Sequence, residues 1–160
     1  MLYGIPPTLP AELLHTLASM GHGDELVLVD ANYPAVSDAR ATQLGRPLEL
    51  VGRNLAEATA DVLALMPLDA FVDAPVGLMA VPDGSTPSVH AEIVTLLERV
   101  PGGPWTPESI ERFAFYERAR GAFALVRTLE RRPYGNVVLK KGVLTPKGEL
   151  MTPESAVAVA

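Results

Sequence analysis

The run Leu26-Val27-Leu28-Val29 contains no polar position, so a strand built from it has no face to give to water. A half-exposed strand alternates apolar and polar residues, whereas an uninterrupted run marks a strand covered on both sides, as in a parallel sheet layered between helices. A chain that makes such a strand must also supply the helices that cover it. The flanking sequence does so repeatedly.

Helical spacing begins after Pro10, with Leu13, Leu14, Leu17 and Met20 on one face, and Gly21 follows where a left-handed C-terminal cap would sit. Asn54 with Glu57 three residues on reads as a helix start, Leu55, Ala58, Val62, Leu65 and Met66 form the inward stripe, and Pro67 stops it. Thr86-Pro87 opens another helix with Val89, Ile93, Leu96, Leu97 and Val100 on one face, broken by Pro101-Gly102-Gly103-Pro104. The same signal at Thr106-Pro107 predicts a helix through about Arg120. Val76 to Val81, Phe123 to Thr128 and Val137 to Lys140 are further strands, the last two joined by the polar, turn-rich segment 129–136. Helices alternating with buried strands predict an α/β single-domain layered fold with a mostly parallel central sheet flanked by helices, its final strand pair open to an antiparallel arrangement. At 160 residues the chain has room for one core, placed in residues 1–144, with 145–160 as a peripheral C-terminal extension.

Several function classes fall on composition. With no cysteine there is no disulfide framework, thiolate zinc site, iron–sulfur cluster or cysteine nucleophile. A net charge of -6 repels phosphate backbones and anionic lipid, so neither nucleic acid nor membrane is an expected partner. The short basic clusters Arg131-Arg132 and Lys140-Lys141 are either a solvated face or a local hold on a polar ligand. The N-terminal segment lacks the basic and apolar regions of a secretory signal, which makes a cytoplasmic location the expectation. No glycine-rich nucleotide loop and no Gly-x-Ser-x-Gly elbow occurs. The three histidines, His15, His22 and His90, show no recognised metal spacing, and His15 and His90 fall on polar helix faces, where solvent exposure is expected. What remains is chemistry done with protons and hydrogen bonds.

His22 lies between two glycines just beyond a predicted helix end, where a ligand can approach closely and an imidazole can exchange a proton near neutrality; a plain surface turn is the alternative. Asp30 ends the buried strand, where open α/β sheets collect ligands, or else it caps the turn that follows. In Arg112-Phe113-Ala114-Phe115-Tyr116-Glu117-Arg118, aromatic and charged groups alternate in a way one amphipathic face does not explain, which a subunit contact would also produce. Tyr134-Gly135-Asn136 offers a phenol and an amide on a flexible backbone, fit for a neutral polyol or for a simple turn.

Taken in order, Gly21-His22-Gly23-Asp24-Glu25, Asp30-Ala31, Arg112 to Ala119, Tyr134-Gly135-Asn136 and Lys140-Lys141-Gly142-Val143 resemble the fucose mutarotase and ribose pyranase family, most closely its fucose mutarotase branch. The resemblance implies interconversion of the anomers of L-fucose or a related monosaccharide by acid–base ring opening and closing, with no cofactor and no metal. It implies His22 as proton donor and Asp30, Arg112, Tyr134, Asn136 and Tyr116 as sugar-binding residues, with Glu117 inside the same motif. It also implies self-association into a ring-like homo-oligomer, typically a decamer, with pockets near subunit contacts. The alternatives are a non-catalytic sugar-binding or regulatory protein of the same fold, a D-ribose pyranase-like activity, and an aldose–ketose isomerase using Asp30 or Glu117 as base. Two departures bear on which sugar fits: Asn32-Tyr33-Pro34 stands where the branch often carries His-Phe-Pro, and Glu98 to Trp105 is rich in Pro and Gly.

Overall fold

The computed structural model describes residues 2–159. In chain order the elements are α1 (Ala11–Ser19), β1 (Glu25–Val29), α2 (Ala35–Ala39), β2 (Leu48–Glu49), α3 (Leu55–Leu63), β3 (Val76–Met79), α4 (Ser88–Leu97), β4 (Glu108–Ile110), α5 (Arg112–Arg120), β5 (Ala124–Arg127), β6 (Val137–Lys140) and α6 (Pro153–Val159). The strands form one sheet in the order β2-β5-β1-β6-β3-β4. The apolar run of β1 lies near the middle of it, and Leu26 to Val29 are fully buried.

Because side chains alternate across a strand, β1 serves two cores. Leu26 and Leu28 join Leu13 and Leu17 of α1, Leu55 and Val62 of α3, and Val89 and Ile93 of α4 on one face. Val27 and Val29 join Ala35 and Ala39 of α2 and Phe115 and Ala119 of α5 on the other. The result is the helix–sheet–helix layering expected from the uninterrupted run.

The sheet is mostly parallel, as expected: β5 pairs in parallel with β1 and β2, and β4 with β3. The antiparallel element is β6, which lies between β1 and β3 and opposes both. The last two strands therefore do not pair with one another. β1 is inserted between them because its two buried edges need partners, and segment 129–136 carries the chain across it.

The Asn54 start is a complete capping box, with the Asn54 side chain on Glu57 N–H at 2.9 Å and the Glu57 carboxylate on Asn54 N–H at 3.0 Å. Three local expectations fail. Thr106-Pro107 does not open a helix: residues 108–110 pair with β3 as β4, and the helix waits for Glu111, whose carboxylate takes the N–H groups of Phe113 and Ala114. Strand pairing outweighs the local Thr-Pro signal, helped by Gly77, where a side chain would collide with Ile110. Gly21 is not a left-handed cap: Met20 is already extended and the positive φ falls on Gly23. The Lys141 ammonium satisfies the end of α1 instead, donating to the carbonyls of Leu17 and Met20 at 2.7 and 2.5 Å. His90 is buried, not exposed as its helix face suggested, because its ring finds a backbone carbonyl 44 residues away.

The basic clusters are largely used internally, Arg132 on Glu130 and Glu92, Lys140 on Glu25 and Lys141 on the α1 carbonyls. After residue 144 the chain doubles back through a Leu144–Leu150 bridge before α6, an element the sequence did not suggest. No helix among the described residues is long and apolar enough to cross a membrane.

Candidate active site

Strand direction gathers one set of side chains at one end of the sheet. Asp30 follows β1 directly, and antiparallel β6 begins beside that end because Leu28 pairs with Val137, so Asn136 lies against Asp30. The pair is interlocked: Asp30 N–H donates to Asn136 Oδ1 at 2.9 Å, and Asn136 Nδ2 donates to Asp30 Oδ2 at 3.1 Å. The other carboxylate oxygen of Asp30 accepts the Asn32 N–H at 2.9 Å. Burial pushes the Asp30 carboxyl above its usual range, with the hydrogen bonds from Asn32 and Asn136 opposing that rise.

Arg112 is the first residue of α5, and it reaches the same end because β4 runs parallel to β3 and delivers the chain there. Its guanidinium lies 4.7 Å from the Phe113 ring and enters no ion pair among the described residues. Tyr116 is one turn further along α5, its ring 5.2 Å from that of Tyr33. Tyr134 arrives from segment 129–136. Asp30, Arg112, Tyr116, Tyr134 and Asn136 surround a cavity of about 180 Å³, completed by Asn32, Tyr33, Met79 and Pro133. One carboxylate, one guanidinium, three phenols and two amides around so small a space suit a single neutral polyol better than a large apolar ligand. Glu117 is exposed on α5 and is not part of this lining.

His22 is elsewhere. It precedes β1, whereas Asp30 follows it, and a five-residue strand holds its two ends roughly 15–20 Å apart. There His22 Nε2 lies 3.1 Å from Asp69 Oδ1, and the Phe71 ring packs on the imidazole with centroids 5.6 Å apart. A carboxylate oxygen only accepts here, so Nε2 carries the hydrogen and Nδ1 is the nitrogen left to exchange a proton. The imidazole is 47% exposed while Asp69 is 3% exposed, so the pair is anchored inside and offered outward.

The structure thus brings together five of the sequence-derived residues and leaves the sixth, His22, at the opposite end of the sheet. Sequence reasoning missed Asp69 and Met79, and it touched Tyr33 only as part of the Asn32-Tyr33-Pro34 departure that bears on which sugar fits. Asp69 is placed by a bridge between Leu68 and Lys141 that no local pattern announces. Tyr33 donates its hydroxyl to buried Asp38 at 2.9 Å, and burial together with that carboxylate pushes the phenol well above its usual range, fixing it as a donor. Among the described residues no three His, Asp or Glu side chains are grouped to hold a metal ion.

A layered α/β sheet ending in a small polar cleft defines a small-molecule protein, with ligand chemistry at the carboxyl end of its central strand. The chain belongs to the RbsD / FucU transport protein family, whose model matches residues 3–144. It is 42% identical over 149 residues to an L-fucose mutarotase of Actinobacillus pleuropneumoniae serotype 5b, covering 92% of this chain and 100% of the relative. It is 45% identical over 155 residues to the fucose mutarotase of Homo sapiens, covering 89% of this chain and 94% of that one. The crystal structure of a fucose mutarotase in complex with L-fucose from Streptococcus pneumoniae superposes with a TM-score of 0.81 at 39% identity, over 90% of this chain and 100% of that one.

Proposed function

We propose that the chain is a sugar mutarotase that interconverts the α and β anomers of L-fucose or a closely related monosaccharide. The observation that carries this reading is the interlocked Asp30–Asn136 pair in a 180 Å³ cleft beside Arg112, Tyr116 and Tyr134. The fucose mutarotase relatives, alike over about nine-tenths of the chain, support it. Ring opening breaks the bond between the anomeric carbon and the ring oxygen as a proton reaches that oxygen and the anomeric hydroxyl gives one up. The open-chain aldehyde turns and recloses on its other face, and both protons return.

In this reading Asp30 and Arg112 hold sugar hydroxyls, Tyr116 and Tyr134 close the cleft, and Asn136 fixes the carboxylate. His22 delivers the proton through Nδ1, and Asp69 orients it. Since β1 keeps His22 and Asp30 at its opposite ends within one copy, the proton donor comes from a second copy of the chain. The imidazole and the exposed Phe71 of one copy face the cleft of the next, a head-to-tail arrangement that closes into a ring. A decamer, a cytoplasmic location and the division into a mutarotase domain 1–144 with an extension 145–160 belong to the same proposal. Native mass spectrometry, cell fractionation and a chain ending at residue 144 test them in turn.

The rival is a non-catalytic sugar binder, favoured by the absence of a histidine from the cleft of a single copy. Anomer-exchange NMR decides between them. The mutarotase accelerates exchange of L-fucose, or of ribose or galactose if the cleft prefers them, and His22→Asn abolishes this while sparing sugar binding. A parent protein that binds sugar without accelerating exchange of any of these favours the rival.

A further inference from the structure

Helix α4 contributes nothing to the lining of the sugar cleft, yet it grips the segment that carries Tyr134 at two points. His90 directs Nε2 to the Tyr134 carbonyl at 2.8 Å. A carbonyl only accepts, so Nε2 carries the hydrogen. From the same helix, Glu92 and Ser88 hold Arg132, with Nη2 to Glu92 Oε2 at 2.9 Å and Nη1 to Ser88 Oγ at 3.1 Å. Arg132 in turn holds the buried Glu130 carboxylate through Nε and Nη2 at 2.9 and 2.8 Å.

Between these anchors the backbone takes a conformation that an aromatic residue avoids. Tyr134 has φ +62°, and it is the one non-glycine residue at positive φ among the described residues. Its carbonyl accepts two hydrogen bonds, from His90 and from Asn136 N–H at 2.8 Å. Gly135 packs so closely on the anchors that a Cβ there would lie 2.5 Å from Glu130 Cγ and 3.1 Å from the Arg132 carbonyl. A strained conformation persists only where the surroundings over-determine it.

We propose that His90 is a positioning residue for the sugar cleft: its Nε2–H on the Tyr134 carbonyl, supported by the Glu92–Arg132 pair, holds Tyr134 left-handed and so aims its phenol and Asn136 at the ligand. The proposal rests on the sugar-binding reading of the cleft. Without that donor the backbone at 134 relaxes toward negative φ and the phenol swings away.

The test uses the full chain with His90→Ala, which removes the donor, and His90→Gln, whose amide N–H can reach the same carbonyl. Anomer exchange with L-fucose gives KM and kcat, and amide hydrogen exchange at Asn136 in sugar-free protein reads the loop independently of turnover. His90→Ala raises KM about tenfold with kcat within about twofold and speeds Asn136 exchange about tenfold, as expected for one lost hydrogen bond, and His90→Gln restores most of both. Unchanged KM and Asn136 protection in His90→Ala overturn the proposal. So does a loss that His90→Gln fails to rescue, which assigns His90 to core packing. If His90→Ala does not fold, Arg132→Ala decides: a raised KM with preserved kcat supports the clasp, and parent values overturn it. A parent protein that exchanges no sugar defeats the mutarotase reading alone, because the amide measurement still judges His90.

Discussion

If one copy supplies His22 and its neighbour supplies Asp30 and Arg112, two inactive variants should restore each other. His22→Ala lacks the donor and keeps the cleft, and Arg112→Ala lacks the guanidinium and keeps the donor. Alone, each falls by a factor of about 10²–10⁴ or by the loss of sugar binding respectively. Mixed in equal amounts, unfolded and reassembled at random, an interface is native only when its cleft comes from the first variant and its histidine from the second. Each condition is met half the time, so about one quarter of the interfaces recover in a head-to-tail ring. Anomer-exchange NMR on the mixture, with native mass spectrometry to confirm mixed assemblies, reads this directly. The separation of roughly 15–20 Å along β1 forbids recovery by any rearrangement within one folded chain. Mixed rings with no activity above the separate parents would refute a site shared between copies.

Three further outcomes follow from the geometry. Asp30→Asn sets an amide donor against the Asn136 amide and should cost about 1–3 kcal/mol in urea unfolding, partly offset by removal of a buried charge, while the swap Asp30→Asn with Asn136→Asp restores a donor–acceptor match and returns stability without activity. The Arg132 guanidinium holds the Glu130 carboxyl at about 2, below its ordinary 4.5, so the folded state binds fewer protons than the unfolded one across that range. This contribution to stability is therefore full above pH 4.5 and is lost as pH falls through about 2, and acid titration of Glu130→Gln should show a correspondingly flatter profile between those values. Asn54→Ala removes one half of the α3 capping box and should lower unfolding free energy by about 1 kcal/mol without moving KM, as measured by denaturant titration and exchange kinetics.

The parts of the fold written in local pattern were legible. Leu26 to Val29 needs cover on both faces and has it, and Asn54 with Glu57 makes the helix start it promises. The parts set by distant partners were not. Thr106-Pro107 carries a helix signal, but residues 108–110 are claimed by the edge of β3, a gain that no local window contains. His90 sits on a helix face that looks polar until the Tyr134 carbonyl meets it. The membership of the cleft was legible through the family resemblance, which names Asp30, Arg112, Tyr116, Tyr134 and Asn136, and the strand ends bring those segments together. The place of His22 was not read from the sequence, where the motifs grouped it with the sugar-binding residues; the strand between them sets it apart, since eight residues that include a whole strand cannot return to their starting point.

The position of β1 has a consequence for how the chain comes to be folded. Its two edge partners, residues 124–127 and 137–140, lie about a hundred residues downstream, so during synthesis this buried run is made early and its neighbours late. Until they emerge, Leu26 to Val29 can form neither edge of its hydrogen-bonded ladder, and β3 with β4 is the one strand pair of the sheet that can form. Such long-range closure is slow compared with helix formation. A chain halted before residue 124 therefore leaves Leu26 to Val29 unpaired on both edges, and growth conditions that slow translation should lower the yield of this protein through aggregation before they lower its activity per folded molecule.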